Sequence, residues 1–92
     1  MVSGCLIANW RVSKGAGDSR LGVITSGRIG NAVVRSRSRR LIREAFRLHQ
    51  NEIQAGTDVV LIARNSIVGK GFADVEKDLL TIFRKAGLCK VA

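Results

Sequence analysis

The sequence predicts an α+β fold, a two-layer arrangement with helices packed on one sheet. Three observations indicate it: short apolar segments typical of strands, two longer segments with helical periodicity, and glycine-containing connections between them. The chain has 92 residues, of which 46% are hydrophobic, so it can form one modest core. We therefore expect a single domain over residues 1–92.

The first part of the chain contains two strand candidates. Residues 5–12 (CLIANWRV) are the first, residues 20–26 (RLGVITS) are the second, and the glycines and aspartate of residues 13–19 predict a turn between them. We therefore expect the two strands to pair as a hairpin. Alternation places four apolar residues of the first candidate on one face: Leu6, Ala8, Trp10 and Val12.

A helix is expected to begin near Asn31, which is a favourable N-cap residue, and to end before Gly56. At about 100° per residue, one sector of this helix is apolar and the opposite sector is cationic, with Arg37 on the flank. The expected buried sector holds Val34, Ser38, Leu41, Ala45 and Leu48. The cationic sector holds Arg35, Arg39, Arg40, Arg43 and Arg47.

The last part of the chain predicts a third strand and a second helix. Residues 58–64 (DVVLIAR) are a continuous apolar run, which is typical of a strand buried on both faces. The second helix covers about 73–86 and is closed by Gly87. The order is ββαβα, and strands 20–26 and 58–64 are expected to be parallel because a helix connects them. The apolar stripe of the second helix holds Val75, Leu79, Ile82, Phe83 and Ala86.

The charge of the chain is large and localised. The formal net charge is +9 and the sequence pI is about 11.1, and residues 28–47 contain seven arginines, no lysine and one acidic residue, Glu44. Such a charge favours a polyanionic partner, nucleic acid in preference to an anionic membrane surface. Arg39, Arg43 and Arg47 repeat at i,i+4, where like charges destabilise a helix that no partner neutralises.

Arginine in place of lysine favours phosphate recognition, since a guanidinium can bind two phosphate oxygens at once. Gly27 and Gly30 would let backbone amides at the helix N-terminus approach a phosphate, although an ordinary strand-to-helix turn explains them equally well. The arginines could also form a merely solvated face, or the helix could enter a DNA major groove. The major-groove interpretation is disfavoured because the exposed face has few side chains that read bases.

No catalytic or metal-binding group is evident in the sequence. His49 has no assignable partner and is expected to cap the helix or to be solvated, and Asp74, Glu76 and Asp78 are expected to mark a helix start and its solvated side. Cys5 and Cys89 are expected to be buried, reduced thiols of a cytoplasmic protein. We expect neither a membrane span nor a signal peptide, because no apolar run approaches about 20 residues and no basic region is followed by a long apolar block.

The segment RIGNAVVRSRSRRLIREAFR resembles the signature of the protein subunit of bacterial ribonuclease P. That signature is Gly-Asn-Ala-Val, then Arg-Asn-Arg, a spacer, two basic residues, and Arg-Glu. The matching positions are Gly30 to Val33, Arg35, Arg37, Arg39, Arg40, Arg43 and Glu44. The resemblance extends to the strands before and after this segment and covers nearly the whole chain.

The chain departs from the family pattern at three places. Ser36 replaces the usual asparagine between the two arginines, and Gly27 stands where a basic residue is common. The family also begins with a helix and a basic lead-in, for which this chain has no counterpart, because Met1 falls just before the first strand. We therefore expect a cleft for the 5′ leader that lacks one wall.

The resemblance implies a role as the RNA-binding subunit of an endoribonuclease that removes the 5′ leader from precursor tRNA. The partners would be the catalytic RNA subunit and precursor tRNA, with no membrane and no obligate protein partner. Mg²⁺ held by the RNA would perform the hydrolysis, with no catalytic residue, metal or other cofactor held by the protein alone. The family's strand–helix–strand crossover is left-handed, against the general rule. The implied RNA-binding residues are Arg28, Asn31, Arg35, Ser36, Arg37, Arg39, Arg40, Arg43 and Arg47.

Trp10 and Arg11 are the candidates for binding the 5′ leader. Aromatic stacking beside a basic group is a common way to bind single-stranded RNA, and Trp10 falls where the family tends to place an aromatic residue of the cleft. The competing interpretation is that Trp10 is a core residue. A non-catalytic RNA-binding module, such as a ribosomal protein or RNA chaperone, also accounts for the charge and the fold.

Overall fold

The computed structural model describes residues 1–13, 17 and 19–89, and it confirms an α+β fold with one sheet and two long helices. Neither helix of the described chain is long and apolar enough to cross a membrane. The strands are β1 (Val2–Ser3), β2 (Leu6–Val12), β3 (Arg20–Ile24) and β4 (Thr57–Ala63). The helices are α1 (Ala32–His49) and α2 (Phe72–Lys85), with short 3₁₀ helices at Gln50–Glu52 and Asn65–Ile67.

The sheet has the order β1-β2-β4-β3, so β4 lies between β2 and β3. The predicted hairpin is therefore wrong: β2 pairs with β4 in antiparallel fashion and with the short β1, which the sequence did not reveal. The predicted turn covers residues 13–19, of which residues 14–16 and 18 lie outside the described residues. The parallel pairing of β3 with β4 is confirmed. The left-handed crossover through α1 stays a prediction.

Burial alternates along β4, which makes the two faces of the sheet unlike. Thr57, Val59, Leu61 and Ala63 are buried, whereas the residues between them are only half-buried. The prediction of a strand buried on both faces is therefore wrong. A continuous apolar run cannot show which face receives the helices, and here only one face is covered.

Helix α1 begins where the sequence predicts. The Asn31 side chain accepts a hydrogen bond from the Val34 amide at 3.0 Å and caps the first turn. The buried face is rotated from the predicted sector, since Leu48 is 50% exposed while Phe46 is 4% exposed. Phe46 packs edge-to-face on Phe83 of α2 with 6.2 Å between ring centroids. The buried residues of α1 are Ser38, Ile42, Ala45 and Phe46.

Helix α2 agrees closely with its prediction. Four of its five predicted apolar residues are fully buried, and the fifth, Ala86, is half-buried just beyond its end. The Asp74 carboxylate accepts a hydrogen bond from the Gly71 amide at 3.1 Å and caps the helix. Gly87 has a φ of +69°, the left-handed conformation that commonly follows a helix C-terminus.

Asp78 connects α2 to the turn between β1 and β2. Its carboxylate accepts a hydrogen bond from the Cys5 amide at 2.9 Å, so it is not the solvated side chain that the sequence predicts. Burial, together with the neighbouring Asp78, raises the pKa of the Cys5 thiol to about 12. Cys5 is buried as expected, but Cys89 is exposed, so that part of the prediction is wrong.

Gly4 is required by this contact between the turn and α2. Its φ is +54°, and a Cβ atom there would overlap the Asp78 carboxylate. We expect Gly4→Ala to lower the free energy of unfolding by roughly 1–3 kcal/mol, because strain and overlap add. Urea denaturation of the two proteins measures this.

Gly27→Ala is the matched control for this substitution. A Cβ at Gly27 meets no atom within 4 Å, and the Gly27 backbone is not left-handed. We expect its unfolding free energy to stay within about 0.5 kcal/mol of the parent. Equal effects of the two substitutions would contradict the role assigned to Gly4.

Candidate nucleic-acid-binding surface

The exposed side of α1 carries a shallow groove with four guanidinium groups and one carboxylate. Its concentration of like charge follows from the helical repeat, since arginines three and four residues apart share one side of a helix. We call this groove the arginine face. It is lined by Ser36, Arg39, Arg40, Arg43, Glu44 and Arg47.

Two arginines, Arg35 next to the arginine face and Arg39 within it, are held by polar groups of neighbouring segments. Arg35 donates from Nη1 to the Gly30 carbonyl at 2.7 Å, and Arg39 donates from Nη1 to the Thr25 hydroxyl at 3.4 Å. Both arginines are half-buried. Each guanidinium has five N–H donors, so most of its donors remain available to a ligand. These bonds orient Arg35 and Arg39 without consuming their binding capacity.

Glu44 is the one acidic residue within the arginine face. It binds Arg47 at 2.5 Å and 3.2 Å through both carboxylate oxygens, and these hydrogen bonds hold the pKa of Glu44 below its ordinary value. Of the three arginines that repeat at i,i+4, Arg47 is thus partly neutralised by Glu44. Arg40 and Arg43 make no hydrogen bond or ion pair with the described residues, and both are exposed.

The loop before α1 places two more predicted residues next to this face. Arg28 is exposed beside Ile29, which is 6% exposed and anchors the loop in the core. Asn31 uses its side-chain oxygen to cap α1, so its first role is structural. Contact of either residue with RNA stays a prediction.

Trp10 and Arg11 lie on β2, away from the arginine face. Trp10 pairs with the buried Val59 of β4, and 36% of its surface is exposed, so both the leader-binding and the core interpretation stay predictions. The last four residues of β2, from Asn9 to Val12, are exposed. A small recess there is lined by Asn9, Trp10, Arg11, Asp58 and Val60.

The recess on the sheet also shows what the sequence did not indicate. Asp58 pairs across the strands with Arg11 and forms an ion pair with Arg20 at 3.4 Å. Asn9 and Val60 complete the lining, and their contribution depends on the β2–β4 pairing. Since the predicted hairpin omitted this pairing, no sequence signal could have brought these residues together.

His49, the last residue of α1, connects the end of this helix to the rest of the protein. Its Nε2 lies 2.8 Å from a Glu76 carboxylate oxygen on α2, and its Nδ1 contacts Glu52. The expectation that His49 has no partner is therefore wrong. The hydrogen bonds to Glu76 and Glu52 raise the pKa of His49 above its ordinary value of 6.5.

Within residues 1–13, 17 and 19–89, no group of three His, Cys, Asp or Glu side chains could hold a metal ion. The charged groups concentrated on the exposed side of α1 are guanidinium groups, which bind anions.

The chain is similar to ribonuclease P proteins in both sequence and structure. A family model described as Ribonuclease P matches residues 3–87. The ribonuclease P protein component of Clostridium beijerinckii is 47% identical over 70 residues, which are 76% of this chain and 56% of that protein. The component of Clostridium acetobutylicum is 43% identical over 70 residues, which are 76% of this chain and 59% of that protein. The chain thus spans less than two thirds of the length of these relatives.

Two solved structures have the same fold. The ribonuclease P protein of Staphylococcus aureus superimposes with a TM-score of 0.84 at 26% identity, covering 98% of this chain and 82% of that one. The ribonuclease P protein of Thermotoga maritima gives a TM-score of 0.81 at 27% identity, covering 92% of this chain and 80% of that one.

The raised pKa of His49 predicts a stability that depends on pH. Because protonated His49 is favoured in the folded protein, its contribution is complete below pH 6.5 and is lost as the pH rises through the folded-state pKa. We expect the free energy of unfolding to fall over this range in the parent protein. Urea denaturation at a series of pH values measures the fall.

His49→Gln serves as the comparison, because glutamine can bind the same carboxylates but does not titrate. We expect its unfolding free energy to lack this component of the pH dependence. Identical pH profiles for the parent and the variant would show that His49 does not couple α1 to α2 in this way.

Proposed function

The chain belongs to the ribonuclease P protein family, and we propose that it acts as the protein component of ribonuclease P. In this role it docks on the catalytic RNA subunit and helps to hold the 5′ leader of precursor tRNA during 5′ maturation. The observation that carries the docking proposal is the arginine face of α1.

The arginine face is suited to an RNA backbone by its charge and by its shape. Phosphate groups along the RNA would neutralise Arg40 and Arg43, which have no partner among the described residues, and would relieve their repulsion. The guanidinium fork binds two phosphate oxygens, so each contact fixes orientation as well as position. Contacts of this kind position a protein on RNA without reading its sequence.

Neighbouring residues would extend this interface. Arg35 and Arg37 flank the arginine face and Arg39 lies within it, and each of the three keeps unused donors. Arg28 and Asn31 stand at the start of α1, where the exposed amides and the positive end of the helix dipole favour phosphate. Ser36 supplies a hydroxyl within the groove where the family has an asparagine.

The leader would be bound at the far end of β2, by Trp10 and Arg11. Trp10 offers an exposed aromatic surface on which a base can stack, and Arg11 supplies a neighbouring positive charge. Asp58 offsets part of this charge, so we expect the leader site to be weaker than the arginine face. The separation of the two sites would let one protein contact both RNAs.

The chemistry is assigned to the RNA subunit and not to this chain. Mg²⁺ held by the RNA would activate the water that cleaves the leader. The protein's own residues would bind and orient the RNA backbone. In this proposal the described side chains take no part in bond cleavage.

Replacement of Arg40 and Arg43 by alanine should weaken binding to the catalytic RNA. Each lost phosphate contact should reduce the slope of log K against log salt concentration by about 0.7–0.9, so the double variant should lose roughly 1.4–1.8 units. Filter binding over a range of salt concentrations measures the slope. The melting temperature should be unchanged, because neither arginine bonds to the described protein.

Two controls complete this experiment. Arg84→Ala with Lys85→Ala removes the same charge from the end of α2, and it should leave the slope nearly unchanged. An unrelated structured RNA of equal length should bind more weakly than the catalytic RNA. Equal affinity for both RNAs would support a general RNA-binding module instead, and an unchanged slope in the arginine variant would refute the docking proposal.

Trp10 should report on leader binding through its fluorescence, since it is the only tryptophan. Single-stranded RNA with a leader sequence should quench the indole emission. Trp10→Ala should cost roughly 1–3 kcal/mol of leader affinity, the usual value for one stacked base. Trp10→Phe should retain part of the affinity.

The melting temperature decides between stacking and packing. A partly exposed Trp10 that binds the leader should be replaceable by alanine with little loss of stability. A loss of roughly 3–5 kcal/mol in unfolding free energy, with leader affinity per folded molecule unchanged, would assign Trp10 to the core.

A further inference from the structure

A second cationic surface lies beside the arginine face, at the N-terminal end of α2. Lys70 precedes the helix, Lys77 lies in its second turn, and both are exposed. They line a recess together with Arg64, which donates to the Gly4 carbonyl at 2.9 Å and is held at the wall of the recess.

The recess also contains two carboxylates, Asp74 and Asp78. Each already accepts a hydrogen bond from a backbone amide, Asp74 from Gly71 at 3.1 Å and Asp78 from Cys5 at 2.9 Å. Neither forms an ion pair within 4.0 Å with a cation of the described chain. Lys70 and Lys77 are thus left without an ion pair among the residues described.

Arg37 joins this recess to the arginine face. It lies on the flank of α1, and its Nη2 donates to the Lys70 carbonyl at 3.0 Å. The contact places the backbone of Lys70 directly beside the arginine helix, although the two are far apart in sequence. Arg37 therefore lies between Arg40 of the arginine face, three residues along the same helix, and Lys70, which shares its recess with Lys77.

We propose that Lys70 and Lys77 form a second phosphate-binding site for the catalytic RNA, joined to the arginine face through Arg37. The proposal rests on the docking function proposed above and extends it to a second segment of the same RNA. The recess fits an RNA backbone because ammonium groups contact phosphates as point charges without requiring the bidentate geometry of arginine. The position of Arg37 between the two sites favours one RNA molecule over two.

The test compares the parent protein with a double variant that carries both Lys70→Ala and Lys77→Ala. The salt slope of binding to the catalytic RNA alone should fall by roughly 1.4–1.8 units for two lost contacts. In hydroxyl-radical footprinting of the catalytic RNA, the lysine variant should leave one backbone segment unprotected. This segment should differ from the one that loses protection in the Arg40→Ala, Arg43→Ala variant, which should stay protected by the lysine variant. The melting temperature should equal that of the parent, since both lysines are exposed.

The outcomes separate this inference from the docking proposal. If the lysine variant keeps the parent slope while the arginine variant loses its share, the second site does not exist and docking through α1 stands. If neither variant changes the slope, both proposals fail. An equal loss of slope in the Arg84→Ala, Lys85→Ala control would show a general effect of charge. A loss of slope that is seen with precursor tRNA and not with the catalytic RNA would assign the lysines to precursor tRNA. Either result overturns the inference.

Discussion

The pairing of β4 with both of its neighbours is the constraint on which the rest of the fold depends. Its antiparallel ladder with β2 and its parallel ladder with β3 fix the order of the sheet. The parallel pair requires a crossover, and that crossover is α1. The alternating burial of β4 shows that the helices cover one face of the sheet. The arginine face and the partly exposed Trp10 follow from the same arrangement, the first as the outer side of the crossover helix and the second at the exposed end of β2.

Tertiary packing lets α1 keep a face that repels itself. Like-charge pairs at i,i+4 cost about 0.2–0.5 kcal/mol each, whereas burying a side chain such as Ile42 or Phe46 contributes about 1.5–3 kcal/mol. The Asn31 cap adds about 1 kcal/mol at one end, and His49 ties the other end to α2. The helix is therefore stabilised by its buried side and by its two ends. Its outer side can carry like charges because the stability of the helix does not depend on that side.

The sequence was informative wherever the structural signal was local. The Asn31 cap, the extent of α2 and the clustering of arginine all depend on residues within a few positions of one another, and the structure agrees with them. Most of the failures are nonlocal, although the Glu44–Arg47 and His49–Glu52 contacts, which were also missed, join residues three positions apart. The predicted hairpin was wrong because strands that are adjacent in sequence were assumed to be adjacent in the sheet. The burial of Leu48 was wrongly predicted because α1 turns Phe46, and not Leu48, toward Phe83 of α2. The Glu76 partner of His49 could not be predicted for the same reason, since Glu76 lies on another helix.

Apart from Arg47, which is paired with Glu44 of the same helix, the arginines of α1 divide into two groups that would bind RNA in different ways. Arg35, Arg37 and Arg39 are already bonded to a carbonyl or hydroxyl of another segment, so part of their side-chain entropy is lost on folding and not on binding. Arg40 and Arg43 have no such bonds to the described residues and can adjust to the phosphates they meet, at an ordering cost of up to about 2 kcal/mol each. Oriented groups set where the backbone of a ligand lies, and adaptable groups neutralise it. A rigid helix with both kinds of arginine can thus fix the position of an RNA without requiring one sequence from it.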